Sequence, residues 1–120
     1  IAALTGLILG AARHRIPIVI DGFISSTAAL VATKICPAVA DFLIPSHLSV
    51  ESGHALLMDY LSIKPYINMG MRLGEGTGAA LGMHLVEAAA RVVLEMATFE
   101  EANVTNKEVE NVDSEQKGVY

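Results

Sequence analysis

Glu75 stands between two glycines in the run Gly70-Met-Arg-Leu-Gly-Glu-Gly-Thr-Gly-Ala-Ala-Leu-Gly82, directly before a long apolar helix pattern. Gly74, Gly76 and Gly78 permit backbone turns closed to other residues and let the chain approach a ligand closely. A lone carboxylate held in such a turn is a candidate proton acceptor. The same residues also read as a glycine-rich helix entry, with Glu75 as a first-turn acid favoured by the helix dipole. The glycine spacing lacks the Lys-Ser/Thr of a nucleotide P-loop and follows no strand, so that reading is excluded.

A second acid, Asp21, follows the apolar run Ile16-Pro-Ile-Val-Ile20 and precedes Gly22. Ligands of open α/β sheets bind beyond the carboxyl ends of the strands, where an acid can orient a ribose hydroxyl or a ligand nitrogen. A turn-forming Asp-Gly pair is the plain alternative. Ser46, His47 and Ser49 follow a second apolar run and can reach the same crevice. Ser46 and His47 are adjacent, which is not how a nucleophile and its base are usually placed. Ser49 reads as a helix N-cap, a position that can also bind an anion through backbone N–H groups. His14, His47, His54 and His84 show no metal-ligand spacing and read as surface or internally satisfied groups. No metal or cofactor is expected. Met58, Met69, Met71, Met83 and Met96 can line an apolar pocket but read more simply as core filler.

The elements that must position these residues follow from periodicity. Residues 1–13 read as a helix with Gly6 and Gly10 as close-packing points. Residues 16–20 form a β-branched strand without alternation, so both its faces are expected to be buried, as in a parallel sheet. Residues 23–35 form a helix capped by Ser25 or Ser26 and closed by Pro37. Phe42-Leu-Ile-Pro45 is a second strand, and Ser49 opens a helix to about Tyr60. Residues 62–74 form a loop. A helix then runs from Thr77 to about Phe99, with Leu81, Leu85, Ala88, Val92 and Met96 on one face. The pattern is α/β, with one parallel βαβ unit. Two strands alone are marginal, so the chain is expected to be the C-terminal part of a larger α/β protein or to complete its sheet in an assembly. Its start at Ile1 rather than Met points the same way.

Composition narrows the function classes. Hydrophobic residues make up 52% and aromatics 5% of 120 residues, so the core must be aliphatic. The six acids and six bases of residues 1–94 balance, and the net charge of −5 comes from the acidic end. No basic face suggests nucleic acid. No uninterrupted apolar run reaches the roughly 18 residues of a membrane span, and no membrane partner is expected. Residues 1–12 come nearest, but the charges follow that run rather than precede it, unlike a signal peptide. Cys36 is alone, which fits a reducing, cytoplasmic setting and excludes a disulfide framework. Residues 1–104 read as one domain portion and residues 105–120 as a polar, mobile tail.

Three segments, Pro17-Ile-Val-Ile-Asp-Gly-Phe23, Leu43-Ile-Pro-Ser-His-Leu-Ser49 and Met71-Arg-Leu-Gly-Glu-Gly-Thr-Gly-Ala-Ala80, resemble the C-terminal third of nicotinate-nucleotide:dimethylbenzimidazole phosphoribosyltransferases. The resemblance covers about residues 1–103. It implies a doubly wound parallel-sheet domain whose C-terminal helices join a small helical domain, in a homodimer. It implies transfer of phosphoribose from nicotinate mononucleotide to 5,6-dimethylbenzimidazole, giving α-ribazole 5′-phosphate and nicotinate with inversion, a step in building the lower ligand of cobalamin. Glu75 takes the general-base position. Leu73 and Gly74 match residues of the base and nicotinate pocket. Asp21, Gly22 and Ser49 match residues beside the ribose and the nicotinate carboxylate. The glycine loops and lysine that grip the 5′-phosphate in the family lie upstream of the matching segments, so the chain alone is expected to be inactive. A non-catalytic nucleotide-binding module and an inactive assembly fragment are the rival readings.

Overall fold

The computed structural model describes residues 1–104; the proposed tail, residues 105–120, lies outside them. Helix α1 spans Ala2–Arg13, strand β1 Ile18–Ile20 and helix α2 Phe23–Ile35. A 3-10 turn at Pro37–Phe42 leads into strand β2, Leu43–Pro45, followed by helix α3, His54–Leu61, and helix α4, Thr77–Glu95. The described residues fall into two units, residues 1–88 and residues from 89 on.

In the first unit, β1 and β2 pair in parallel, Ile18 opposite Leu43 and Ile20 opposite Pro45. Helix α2 is the crossover, giving the βαβ unit and the α/β class. The ladder runs one bond past the strands, Ser46 N–H donating to the Ile20 carbonyl at 3.1 Å. Ala28, Ala29 and Ala32 are fully buried on α2. Their small side chains let this helix pack closely against both α1 and α3. Ile8, Ile20, Val39, Leu43, Met58 and Leu61 complete the core.

The first strand is shorter than its apolar run. Arg15 adopts a left-handed φ of 58°, and Ile16 N–H reaches back to the Ala11 carbonyl while Arg15 N–H reaches Ala12. This is a Schellman closure, so Ile16 belongs to the end of α1 and is exposed. Ile18 and Val19 are half-buried, not enclosed on both faces as expected.

Other expectations are corrected by local hydrogen bonding. Neither Ser25 nor Ser26 caps α2, whose N-cap is Gly22. Ser49 does not open α3. Gly53, at φ 140°, breaks the run four residues later, and a Cβ there would meet the Phe23 ring at 3.0 Å. Gly6 and Gly10 face open space rather than a packing partner. Leu81, Leu85 and Val92 on α4 are exposed, as is Met96 just past its end, and the buried positions on this helix are Gly78 and Gly82. Met58 is in the core, whereas Met69, Met83 and Met96 are exposed. Helix α4 is long and apolar enough, by length and composition, to cross a membrane, although polar residues interrupt its apolar run. Its glycine face is packed on the strand ends.

In the second unit, Thr98 and Glu101 form a reciprocal cap. Thr98 N–H donates to Glu101 Oε2 at 2.8 Å, and Glu101 N–H donates to Thr98 Oγ1 at 3.2 Å. The Thr98 N–H and, at 3.1 Å, the Thr98 hydroxyl both donate to the ionised carboxylate and hold the Glu101 carboxyl below its ordinary pKa.

Candidate active site

Both parallel strands end on the same side, and the segments leaving them meet the start of α4 there. Asp21 follows β1. Its N–H donates to Ser25 Oγ at 3.0 Å, and Ser25 Oγ donates to the Gly22 carbonyl at 3.0 Å. Its carboxylate accepts from Gly76 N–H at 3.3 Å through Oδ2 and from Ala79 N–H at 3.0 Å through Oδ1. A carboxylate on the first-turn N–H groups of a helix satisfies donors that have no partner within the helix.

His47 follows β2 and is 3% exposed. Its Nδ1 lies 3.7 Å from Asp21 Oδ1 and 3.3 Å from Ser46 Oγ. A Cβ on Gly78 would come within 1.8 Å of that nitrogen, and one on Gly82 within 2.8 Å of Ser46 Cβ. Only hydrogen fits at either position, so α4 sits directly on the strand-end segment.

His54 is buried and fully bonded. Ser49 N–H donates to its Nδ1 at 2.9 Å, and its Nε2 lies 3.0 Å from Ser26 Oγ. A backbone N–H can only donate, so Nδ1 must be the acceptor and Nε2 carries the proton. Burial, with His47 nearby, holds the imidazole below its ordinary pKa, against the weaker opposite pull of Glu51 and Asp21. The neutral ring therefore fixes Ser49, which also accepts from Glu51 N–H at 3.3 Å through its hydroxyl.

Glu75 occupies the middle of three consecutive left-handed residues, with φ of 76°, 56° and 80° for Gly74, Glu75 and Gly76. For the glycines this is unstrained. For Glu75 it costs about 1 to 2 kcal/mol. Thr77 closes the turn, its hydroxyl and N–H both donating to the Gly74 carbonyl. Strain of this kind persists where surrounding structure imposes it, and it concentrates at functional sites.

These segments enclose an open cleft of about 260 Å³. Asp21, Gly22, Ser49, Gly74 and Glu75 all line it, together with Phe23, His47, Glu51 and Arg72. Leu73 does not line it and is 71% exposed. Ser46 is buried behind it, bonded to the Asp21 carbonyl at 3.3 Å. Among the described residues no group of three or more His, Cys, Asp or Glu is placed to hold a metal. Sequence reasoning brought out the rim acids but missed the His54–Ser26 pair and the anchoring of His47 beneath Gly78. Neither has a periodic signature; both join residues far apart in the chain.

Comparison with known proteins places the chain in a family. Residues 1–104 match the family described as phosphoribosyltransferase, of the DBI_PRT type. A nicotinate-nucleotide–dimethylbenzimidazole phosphoribosyltransferase of Chlorobium chlorochromatii is 58% identical over 107 residues, covering 89% of this chain and 30% of the relative. That of Desulforudis audaxviator is 59% identical over 105 residues, covering 88% of this chain and 30% of the relative. The crystal structure of CobT from Thermus thermophilus superposes with a TM-score of 0.81 at 43% identity, over 87% of this chain and 31% of that one. The chain thus spans about a third of the length of these proteins. With its fold and its sequence in agreement, the chain belongs to this phosphoribosyltransferase family.

Proposed function

We propose that this chain is the C-terminal portion of an enzyme that transfers phosphoribose from nicotinate mononucleotide to 5,6-dimethylbenzimidazole, with Glu75 as the general base. A ring nitrogen of the benzimidazole attacks the anomeric carbon. The bond from that carbon to the nicotinate nitrogen breaks, and nicotinate leaves with the bonding pair. The attacking ring loses its N–H proton to Glu75. The products are α-ribazole 5′-phosphate and nicotinate.

The observation that carries this reading is the position of Glu75. It lines the strand-end cleft in a left-handed turn, within a chain 58% identical to an enzyme of that name. Asp21, Gly22, Ser49 and Gly74 share the cleft and are the proposed substrate contacts; Leu73 belongs to this set by resemblance alone. The reading extends to a cytoplasmic homodimer with a small helical domain. It places the 5′-phosphate grip in the parts of the relatives that this chain does not span.

The test is Glu75→Gln in the full-length enzyme. Loss of a positioned general base lowers turnover by about 100- to 10,000-fold. Product formation followed by chromatography should show that loss, while calorimetry shows nicotinate mononucleotide still bound. Unchanged turnover would falsify the assignment of the base. Binding of the mononucleotide with no transfer by the unaltered protein would favour a non-catalytic module.

A further inference from the structure

We propose that Asp21 is a positioning residue that sets the conformation of the Glu75 turn. This inference rests on the proposed role of Glu75. Asp21 directly follows β1, and its two carboxylate oxygens accept from Gly76 N–H and Ala79 N–H. Those donors flank the two residues that follow the Glu75 turn, so the carboxylate fixes both the exit of the turn and the start of α4.

Three further observations support a clamp. Glu75 is left-handed, a conformation a glutamate does not hold unaided. The Thr77 hydroxyl secures the turn to itself through Gly74 but not to the sheet. On its other side, Asp21 is backed by His47, which is buried beneath Gly78 and lies 3.7 Å from Oδ1. Strand end, post-strand histidine and helix start thus converge on one carboxylate. A catalytic group misplaced by about 1 Å can lose about 100-fold in rate, so a clamp of this kind should act on turnover.

The experiment uses the full-length enzyme with Asp21→Asn, Glu75→Gln and the double variant. In Asp21→Asn, one accepting oxygen becomes an amide that opposes a backbone N–H. The expected result is a fall in kcat of about 100-fold, larger than any rise in KM for nicotinate mononucleotide through the cleft contact of Asp21. In the Glu75→Gln background, Asp21→Asn should cost less than about twofold more, because the base it positions is already gone. Amide hydrogen exchange at residues 74–79 should quicken in Asp21→Asn, and Asp21→Glu, which keeps the charge, should recover part of the protection. A raised KM at unchanged kcat, or full additivity with Glu75→Gln, overturns the proposal. So does unchanged exchange at residues 74–79. If Glu75→Gln leaves turnover intact while Asp21→Asn still quickens exchange, the base assignment falls and the clamp stands. Should Asp21→Asn fail to fold, Asp21→Glu carries the same kinetic and exchange readouts.

Discussion

Two glycine pairs at the same spacing behave in opposite ways. Gly6 and Gly10 on α1 face open space, whereas Gly78 and Gly82 on α4 lie against His47 and Ser46 so closely that no Cβ fits. The contrast extends to the regions around them. On the strand-end side, Asp21, Ser46 and His47 tie the segments leaving the strands to the start of α4. The outer side of α1 and α2 carries an apolar groove of about 550 Å³ lined by Leu9, Val31 and Ile35. Ile35 on its wall is 63% exposed. Spacing shows that a close approach is permitted; only what lies opposite makes it a contact. The chain bonds its strand-end segments to α4 and leaves its apolar exterior open.

The largest way to break this contrast, after loss of Glu75 itself, is Gly78→Ala. The new methyl overlaps the His47 ring, and relief requires a shift of helix or histidine. The expected loss is about 1 to 3 kcal/mol or more, read by denaturant unfolding, together with reduced turnover in the full-length enzyme. Gly82→Ala should follow the same direction less steeply, since its methyl meets Ser46 Cβ at 2.8 Å. Wild-type stability in Gly78→Ala would show that the two elements are not in contact.

His54 gives the next test. Its folded-state pKa lies below the ordinary 6.5, so the folded chain binds a proton less readily than the unfolded one. The stability tied to the neutral ring is fully present above about pH 6.5 and is lost as pH falls toward the lowered folded value. Protonated Nδ1 cannot accept from Ser49 N–H, so the cleft wall should loosen first. Thermal melts between pH 8 and 5 should show this slope, and His54→Ala should lower stability and flatten it. An unchanged slope in that variant would place the titration elsewhere.

Gly6→Ala and Gly10→Ala should act the other way. Each replaces an open helical glycine by the best helix former, a gain of about 1 kcal/mol in this chain. The same changes in the full-length protein sharpen the comparison. A loss there would show that another segment covers α1. The smallest effect is expected at Thr98→Ala, which removes a cap bond to Glu101. The Glu101 carboxyl should titrate closer to its ordinary range, as followed by side-chain NMR.

How much of this was legible in the sequence varies with the range of the interaction. Helix α2 begins at Phe23 and ends at Ile35 as its local pattern indicates, and α4 begins at Thr77 after its glycine turn. Asp21 and Glu75 were legible as site candidates because each follows a recognisable local signal. Ser49 was misread as a cap because the rule for caps is local, whereas its N–H is claimed by a histidine five residues on. The α4 stripe was legible as an apolar face, but periodicity does not report what covers it, and its large side chains are exposed. The tie between Asp21 and the Glu75 turn leaves no trace in any window of sequence.

That tie also bears on the order of assembly. The Asp21 bonds join residues 55 and 58 positions apart, whereas the bonds of the helices close over three or four. Local contacts form early and distant ones late, since closing a long loop costs entropy before it is rewarded. Helices α1 and α2 can therefore be complete while Glu75 is still adrift. A half-folded chain of this kind would pass for native by helix content alone, yet its carboxylate would have no fixed address. Recovery of activity on refolding should accordingly lag behind recovery of helical signal.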